Sequence, residues 1–363
     1  MQTLKSKRLL QFHQSINEAS IQIMSVDPSV CIFGHGVNDS SGVFGTTQGI
    51  KEKYGGKRVM DLPISENTMT GIGIGVAISK MRPILVYQRA DFSLSALDQI
   101  VNNAAKWHFM FGGQMICPLV IRLIIGRGWR QSPQYSQSLQ SIFSHIPGLK
   151  VVMPSSPYDA KGLLYSAVKD DNPVVFFEHR WLHETQGHVP SELFEIPLGK
   201  ANIIYEGSDI TIAACSQMTL EARKAADQLI EEGVSVELID IRSVKPLDKE
   251  TLIKSVRKTG RLIIADPDYR FCGFASEVIT TVCEEAFHYL KSAPVRITFP
   301  DTPSPASWAL ANHYYPSSLV IAFEAFKLLR STSKAQHLVE ELIELRTHRP
   351  LDVPSELYFK CYD

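Results

Sequence analysis

The run LKVVMPSSPYDAKGLLYSAVKDDNPVVFFEH, residues 149–179, sets two short apolar stretches on either side of a segment with helical length and period. LKVVMP and PVVFFEH are nearly continuous in large apolar residues and are bounded by turn formers, the composition of strands buried on both faces. PYDAKGLLYSAVKD between them reads as a helix. Strand-helix-strand order implies parallel strands with helices covering the sheet.

The same alternation extends outward in both directions. SVCIFG, KRVMDLP, RPILVYQ and PLVIRLII are further strand candidates, and ALDQIVNNAAKWHFMF is a further helix candidate. Around residues 182–196 the pattern gives way to HETQGHVPSELFEIP, polar and without clear period, where a linker is expected. Alternation then resumes with DITIAAC, LEARKAADQLIEEG, VSVELIDI, KETLIKSVRKTG and RLIIAD, followed by a helix near FASEVITTVCEEAFHYL. Gly233 and Gly260 each follow the last periodic residue of a helix, as C-terminal caps do. The expected organisation is an α/β domain over 1–186, a linker over 187–205, a smaller α/β domain over 206–330, and a helix with a loose tail over 331–363.

The chain has 363 residues, enough for two full cores. A hydrophobic share of 44% and a formal charge of -1 describe a globular protein with no electrostatic reason to bind nucleic acid or an anionic membrane. The six cysteines include no CxxC pair and no Cys/His spacing for zinc, so they are expected to be buried reduced thiols in a cytoplasmic protein. The basic start MQTLKSKRLLQF has too short an apolar run for a secretory signal, and no stretch approaches a membrane span.

Chemistry is sought first in LPISENTMTGIGIGVAIS, residues 62–79. Gly71, Gly73 and Gly75 imitate a dinucleotide-binding turn, but such a turn must open its helix directly after a strand. Here the helix is expected to open earlier, at residues 63–66, so the glycines fall inside it or at a close contact. Glu66 has two readings: a carboxylate in the first helical turn, favoured by the helix dipole, or a proton-exchanging group in a desolvated cleft. GRGWRQSPQYSQ, residues 126–137, is a polar loop after a strand and reads either as a solvated connection or as a ligand loop at a strand's carboxyl end. AVKDDNP, residues 167–173, reads as turn chemistry or as a group of carbonyls able to hold a cation. No zinc-hydrolase histidine pattern, GxSxG elbow or Walker sequence is present.

Taken together, LPISENTMTGIGIGVAIS, RPILVYQRADFSLSALDQIVNNAAK, HIPGLKVVMPSSPYDAKGLLYSAVKDDNPVVFFEH and DIRSVKPLD resemble the beta subunit of thiamine-diphosphate-dependent 2-oxoacid dehydrogenases of the pyruvate or branched-chain type. The resemblance covers roughly residues 10–325. It implies a pyrimidine-binding domain followed by a transketolase C-terminal-like domain. It also implies an alpha2-beta2 tetramer with self-associating beta chains, and delivery of an acyl group from a 2-oxoacid substrate to a lipoyl acyltransferase. In the family the alpha subunit holds the diphosphate through Mg2+ with a Gly-Asp-Gly motif; this chain has only Gly207-Ser208-Asp209, in the wrong domain.

By the same resemblance, Glu66 exchanges a proton with the aminopyrimidine of thiamine diphosphate and Phe92 packs on that ring, while Ile64 and Gln88 line its pocket. Leu119, Ala167, Asp170 and Asn172 correspond to a potassium-binding turn of some members. Two departures stand out. Tyr135 occupies the place of a histidine in a QHSQ string, and a phenol with an ordinary pKa of about 10 shuttles protons poorly near neutrality. His35 and Gly36, in FGHGV, replace acidic residues that link paired active sites. The departures leave two competitors to the dehydrogenase reading: a carboligase or decarboxylase with a non-lipoyl acceptor, and a non-catalytic scaffold subunit.

Overall fold

The computed structural model describes residues 8–128, 130–348 and 353–354. The described residues group into two compact units, one of residues 8–125 and 145–198, the other of residues 126–144 and 199–354. Most of the tail after residue 348, including Cys361, lies outside the described residues.

In the first unit β1 (Leu9–Gln11) leads into α1 (Phe12–Val26), followed by β2 (Val30–Gly34), α2 (Ile50–Tyr54), β3 (Val59–Asp61), α3 (Glu66–Ile78) and β4 (Arg82–Tyr87). A helical stretch ending in α4 (Trp107–Met110) leads to β5 (Val120–Ile125). After α5 (Gln140–His145), which groups with the second unit up to residue 144, come β6 (Lys150–Val152), α6 (Pro157–Lys169), β7 (Val174–His179) and β8 (Gln186–His188). The unit contributes six parallel strands in the order β6-β7-β5-β4-β2-β3. Every residue of β2, β5 and β7 is buried, which is why these strands read as unbroken apolar runs. β1 and β8 form a separate antiparallel ribbon, so the segment expected to be linker begins as a paired strand.

The helix expected over 96–111 is not one regular helix. A 3-10 turn at Ala90–Ala96 is followed by a π turn at Gln99–Asn103, a 3-10 turn at Ala104–Lys106 and the short α4. The π turn lies where Asn102 and Asn103 bond back to the side chains of Asp98 and Gln99, a local bonding that the apolar period does not register.

The core of the first unit also carries charge. Arg122 on β5 and Glu178 on β7 are fully buried and joined by two hydrogen bonds of 2.5 and 3.0 Å. His183 stands 3.5 Å from the same carboxylate. Burial pushes the Glu178 carboxyl up, but Arg122 and His183 outweigh it and hold the group below its ordinary value.

The second unit continues with β9 (Asn202–Tyr205), β10 (Ile210–Ala214), α7 (Gln217–Glu231), β11 (Val236–Asp240), β12 (Ser243–Lys245), α8 (Lys249–Thr259) and β13 (Leu262–Tyr269). It ends with α9 (Phe274–Ala286), β14 (Val295–Phe299), α10 (Trp308–Tyr314), α11 (Ser318–Leu328) and α12 (Thr332–His348). Its sheet runs β14-β13-β10-β11-β9, parallel except for the antiparallel edge strand β9. α7, α11 and α12 close over it with Ala222, Leu229, Ile321, Phe326 and Leu338. Gly260 caps α8 at φ 74 and Gly233 follows α7 at φ 84, as their sequence positions require.

The thiols depart in part from expectation. Cys31, Cys117 and Cys215 are buried, with burial pushing the first two up to about 12, but Cys272 is exposed in a left-handed turn at φ 54. No described helix is long and apolar enough to cross a membrane.

Candidate functional site

The carboxyl ends of β2, β3 and β4 release three segments on one edge of the first sheet, the edge where parallel sheets bind ligands. His35 follows β2, Glu66 opens α3 after β3, and Gln88 and Phe92 follow β4. Glu66 is the first residue of its helix, so the dipole favours its negative charge. Its main-chain carbonyl lies 2.8 Å from the Thr70 hydroxyl and 3.2 Å from the Tyr87 hydroxyl, and since these two also pair with each other, one donates to the carbonyl and the other to its neighbour. Thr70 and Tyr87 are fully buried, so the base of Glu66 is pinned to the core while its side chain remains 15% exposed.

That carboxylate has two long contacts among the described residues. The Ser95 hydroxyl donates to Oε2 at 3.5 Å, and His35 Nδ1 stands 4.0 Å from Oε1. The single Ser95 proton is shared with the carbonyl of Phe92, 2.8 Å away, which links the half-buried Phe92 to the glutamate. Gln88 donates to the carbonyl of His35 at 3.1 Å, and His35 Nε2 donates to the carbonyl of Pro63 at 3.1 Å. Gly36 is left-handed at φ +72, and a Cβ there would come within 2.6 Å of Gln88 Nε2, so the FGHGV departure keeps a residue the turn needs. Ile64 sits at the rim, 86% exposed. The structure therefore brings Glu66, Gln88 and Phe92 together through His35 and Ser95. Ser95 had no motif around it to draw attention.

The three glycines of α3 serve different ends. A Cβ on Gly73 would meet Leu85 at 2.8 Å, so this position allows close packing of helix on strand. Gly71 faces Gln99 at ordinary distance, and Gly75 has nothing within 4 Å. None opens a helix, and the dinucleotide reading falls on that point.

The turn after α6 holds Asp170 and Asn172, with Ala167 in the last helical turn and Leu119 before β5. Asp170 Oδ1 accepts from the Asn172 amide at 2.9 Å, and its other oxygen pairs with Lys150. Arg82 donates to the carbonyls of Val168 (2.8 Å) and Asp170 (3.0 Å). The carbonyl of Leu119 accepts from the Val174 amide at 2.9 Å. Among the described residues no group of three or more His, Cys, Asp or Glu side chains is placed to hold a metal.

Tyr135 belongs to the second unit, in a 3-10 turn at Pro133–Tyr135, and is 40% exposed. Its loop borders a cavity of about 460 Å³ lined by Pro133, Gln134, Gln137, Tyr269, Asp301 and Thr302. The end of the loop is anchored by two buried acids on β13. Gln140 donates to Asp266 at 2.9 Å, and Ser141 bonds to Asp268. Burial pushes both carboxyls up, Asp266 to about 7 and Asp268 to about 6, with the charge of Asp268 adding to the rise at Asp266. This anchor could not be read from the sequence, where Asp266 and Asp268 lie more than a hundred residues from the loop.

Residues 9–185 match the transketolase pyrimidine-binding domain, and residues 199–321 match the transketolase C-terminal domain. The chain is 41% identical to the acetoin:2,6-dichlorophenolindophenol oxidoreductase subunit beta of Cupriavidus necator, over 89% of this chain and 98% of that one. It is 40% identical to the pyruvate dehydrogenase E1 component subunit beta of Acholeplasma laidlawii, over 88% and 97%. A solved split-gene transketolase, described as an inactive beta4 tetramer, shares the fold with a TM-score of 0.72 at 21% identity, over 88% of this chain and 99% of that one.

Proposed function

Because the chain belongs to the family of pyruvate dehydrogenase and acetoin oxidoreductase beta subunits, we propose that it is the beta subunit of a thiamine-diphosphate-dependent 2-oxoacid dehydrogenase. It would share its site with an alpha subunit in an alpha2-beta2 assembly. We assign residues 1–186 to the pyrimidine-binding domain, 187–205 to a linker and 206–330 to the C-terminal-like domain, with the inner segment 126–144 grouped with the second compact unit.

The observation that carries the proposal is the state of Glu66. Its carboxylate is held at a helix start, largely out of water, with only long contacts to Ser95 and His35. A carboxylate so placed has lone pairs available to a ring N–H, and the half-buried Phe92 is tied to it through Ser95, with the exposed Ile64 two residues before Glu66. The residues therefore fit the pyrimidine half of thiamine diphosphate. When bound, that cofactor supplies an acidic thiazolium carbon able to add to a substrate carbonyl. Glu66 holds and returns a proton at the aminopyrimidine nitrogen, Phe92 orients the ring, and Gln88 keeps the His35 segment in place. Tyr135 donates a hydrogen bond where the family's histidine would act.

Mg2+ would be held by the Gly-Asp-Gly motif of the alpha partner. In this chain Asp209 of the nearest string is engaged with the Ser235 amide at 2.9 Å. A potassium ion at Leu119, Ala167, Asp170 and Asn172 rests on the resemblance alone, and it would have to share this turn with Arg82 and Lys150. The product acyl group would pass to a lipoyl acyltransferase. Similarity to an acetoin oxidoreductase subunit adds a second substrate class for the same residues, a 2-hydroxyketone.

Native purification from the source organism tests the proposal. A partner carrying Gly-Asp-Gly and near-stoichiometric thiamine diphosphate are expected, and turnover of pyruvate, a branched 2-oxoacid and acetoin then ranks the substrates. A homodimer that takes up no cofactor from added magnesium and thiamine diphosphate would overturn it in favour of a scaffold role.

A further inference from the structure

Asp266 and Asp268 lie at the carboxyl end of β13, buried in the second unit. Among the described residues no cation pairs with either acid. Arg270 and Arg296, from the neighbouring β13–β14 pair, bond each other's carbonyls and the Ser276 hydroxyl instead. Lys245 of β12 reaches α5 at the carbonyl of Ser144. β10 brings the Cys215 thiol to 3.5 Å from Asp266, and β11 brings Asp240, whose charge reaches the same thiol. On the facing helices, Glu277 of α9 and His145 of α5 are exposed.

Neutral donors take the place of a cation. Gln140 donates to Asp266 Oδ1 at 2.9 Å, and the Ala275 amide donates to Oδ2 at 3.0 Å. The Tyr269 amide donates to Asp268 Oδ1 at 2.7 Å, and the Ser141 hydroxyl donates to Oδ2. The Gln140 amide is fixed in this orientation, because its oxygen accepts from the Ser138 hydroxyl at 2.6 Å. Every oxygen of the two acids therefore accepts, which is the arrangement of ionised carboxylates. A proton on either acid removes the charge that strengthens these bonds and turns an acceptor into a hydroxyl. Of the groups bonded to Asp266, only the Cys215 sulfur, a weak acceptor, can receive that proton. The Tyr269 and Ala275 amides are fixed in β13 and α9, so the loss falls on Gln140 and Ser141. Burial pushes both carboxyls up, which brings this exchange near neutrality.

We propose that Asp266 and Asp268 are positioning residues for segment 133–141: ionised, they clasp it through Gln140 and Ser141, and a proton taken up by the pair loosens it. The segment carries Tyr135, and its Pro133, Gln134 and Gln137 line the cavity that Tyr269 and Asp301 also line. Nearer Tyr135, Ser304 donates to the carbonyl of Ser136 at 3.4 Å, a neutral bond that pH leaves alone. The bearing of the clasp on turnover rests on the reading of Tyr135 given above, whereas the clasp itself does not. Its sign sets it apart from an ordinary structural contact. The proton that loosens the segment relieves two buried like charges, so the fold as a whole is steadied at the pH where the segment is freed.

Amide hydrogen exchange of the purified full chain at pH 8 and pH 5, corrected for the intrinsic effect of pH, tests the clasp. Segment 133–141 should exchange about fivefold or more faster at pH 5, the difference between a charge-assisted and a neutral bond, while β10 exchanges no faster. Asp266→Asn, neutral throughout, should show the fast rate at both values, and Asp268→Asn should narrow the difference. Ser141→Thr, which keeps the hydroxyl, and His145→Gln, which removes the histidine at the end of α5, should both behave as the parent does. Exchange of the parent segment that is flat, or slower at pH 5, overturns the proposal whether or not the variants fold. So does a difference that persists undiminished in folded Asp266→Asn and Asp268→Asn, or one that disappears in His145→Gln. Since exchange is read on the chain without cofactor, its outcome stands apart from that of the thiamine diphosphate reading.

Discussion

Replacing Glu66 by glutamine separates what this side chain does for the fold from what it does for chemistry. The substitution keeps shape and hydrogen-bonding reach and removes the ability to take up a proton. Its cost to folding is bounded by the contacts that change. The Ser95 bond is at the long limit of hydrogen bonding, the His35 contact is longer still, and the bonds from Thr70 and Tyr87 go to the main chain and survive. Loss of the charge at the helix start removes ~0.3 to 1 kcal/mol, and loss of the weak side-chain contacts removes about 0.5 kcal/mol more. The chemical cost is of another order. A positioned acid-base group contributes roughly 10²- to 10⁴-fold in rate, or about 3 to 5 kcal/mol of barrier. E66Q should therefore assemble with its partner and melt within a few degrees of the parent, while kcat falls by at least about a hundredfold. The assay pairs turnover of the reconstituted enzyme with thermal unfolding of the same preparation. Turnover within threefold of the parent, or a loss of turnover matched by a loss of folded protein, would refute the reasoning.

Three further substitutions probe the buried charges. Asp266 and Asp268 have folded pKa values raised to about 7 and about 6, so the folded chain retains protons that the unfolded chain has released. The stability these protons confer is present at low pH and lost as pH rises through 6 to 7. Urea unfolding at pH 5 and pH 8 should show the parent losing about 1 to 3 kcal/mol relative to Asp266→Asn over that interval, and parallel pH profiles for the two proteins would contradict the raised values. In the first unit, Arg122→Met strands the buried Glu178 carboxylate and should cost about 3 to 5 kcal/mol. Adding Glu178→Leu should recover most of that loss, and a single-variant loss below about 1 kcal/mol would show that Glu178 does not depend on Arg122 for its charge.

The parallel sheets were legible because their strands are buried on both faces. VCIFG and VVFFEH carry the fold in their composition alone. Gly233 and Gly260 were legible for an equally local reason, a backbone conformation that other residues adopt with difficulty. Glu66 was legible only in part. Its helix-opening position could be read, but its proximity to His35 and Ser95 depends on strand order, which residue spacing does not encode. The Arg122–Glu178 pair hid inside otherwise apolar runs, and the irregular helical stretch at Ala90–Met110 hid behind a clean apolar period.

The grouping of residues 126–144 with 199–354 means that the chain is not modular at the level of its gene. A cut near residue 198 would separate the two long halves yet leave Gln140 and Ser141 on one fragment and the acids they bond on the other. A chimera that exchanges the second unit between relatives therefore has to carry this inner segment with it. For the same reason, a substitution at Asp266 is felt at Gln140, 126 positions earlier in the chain.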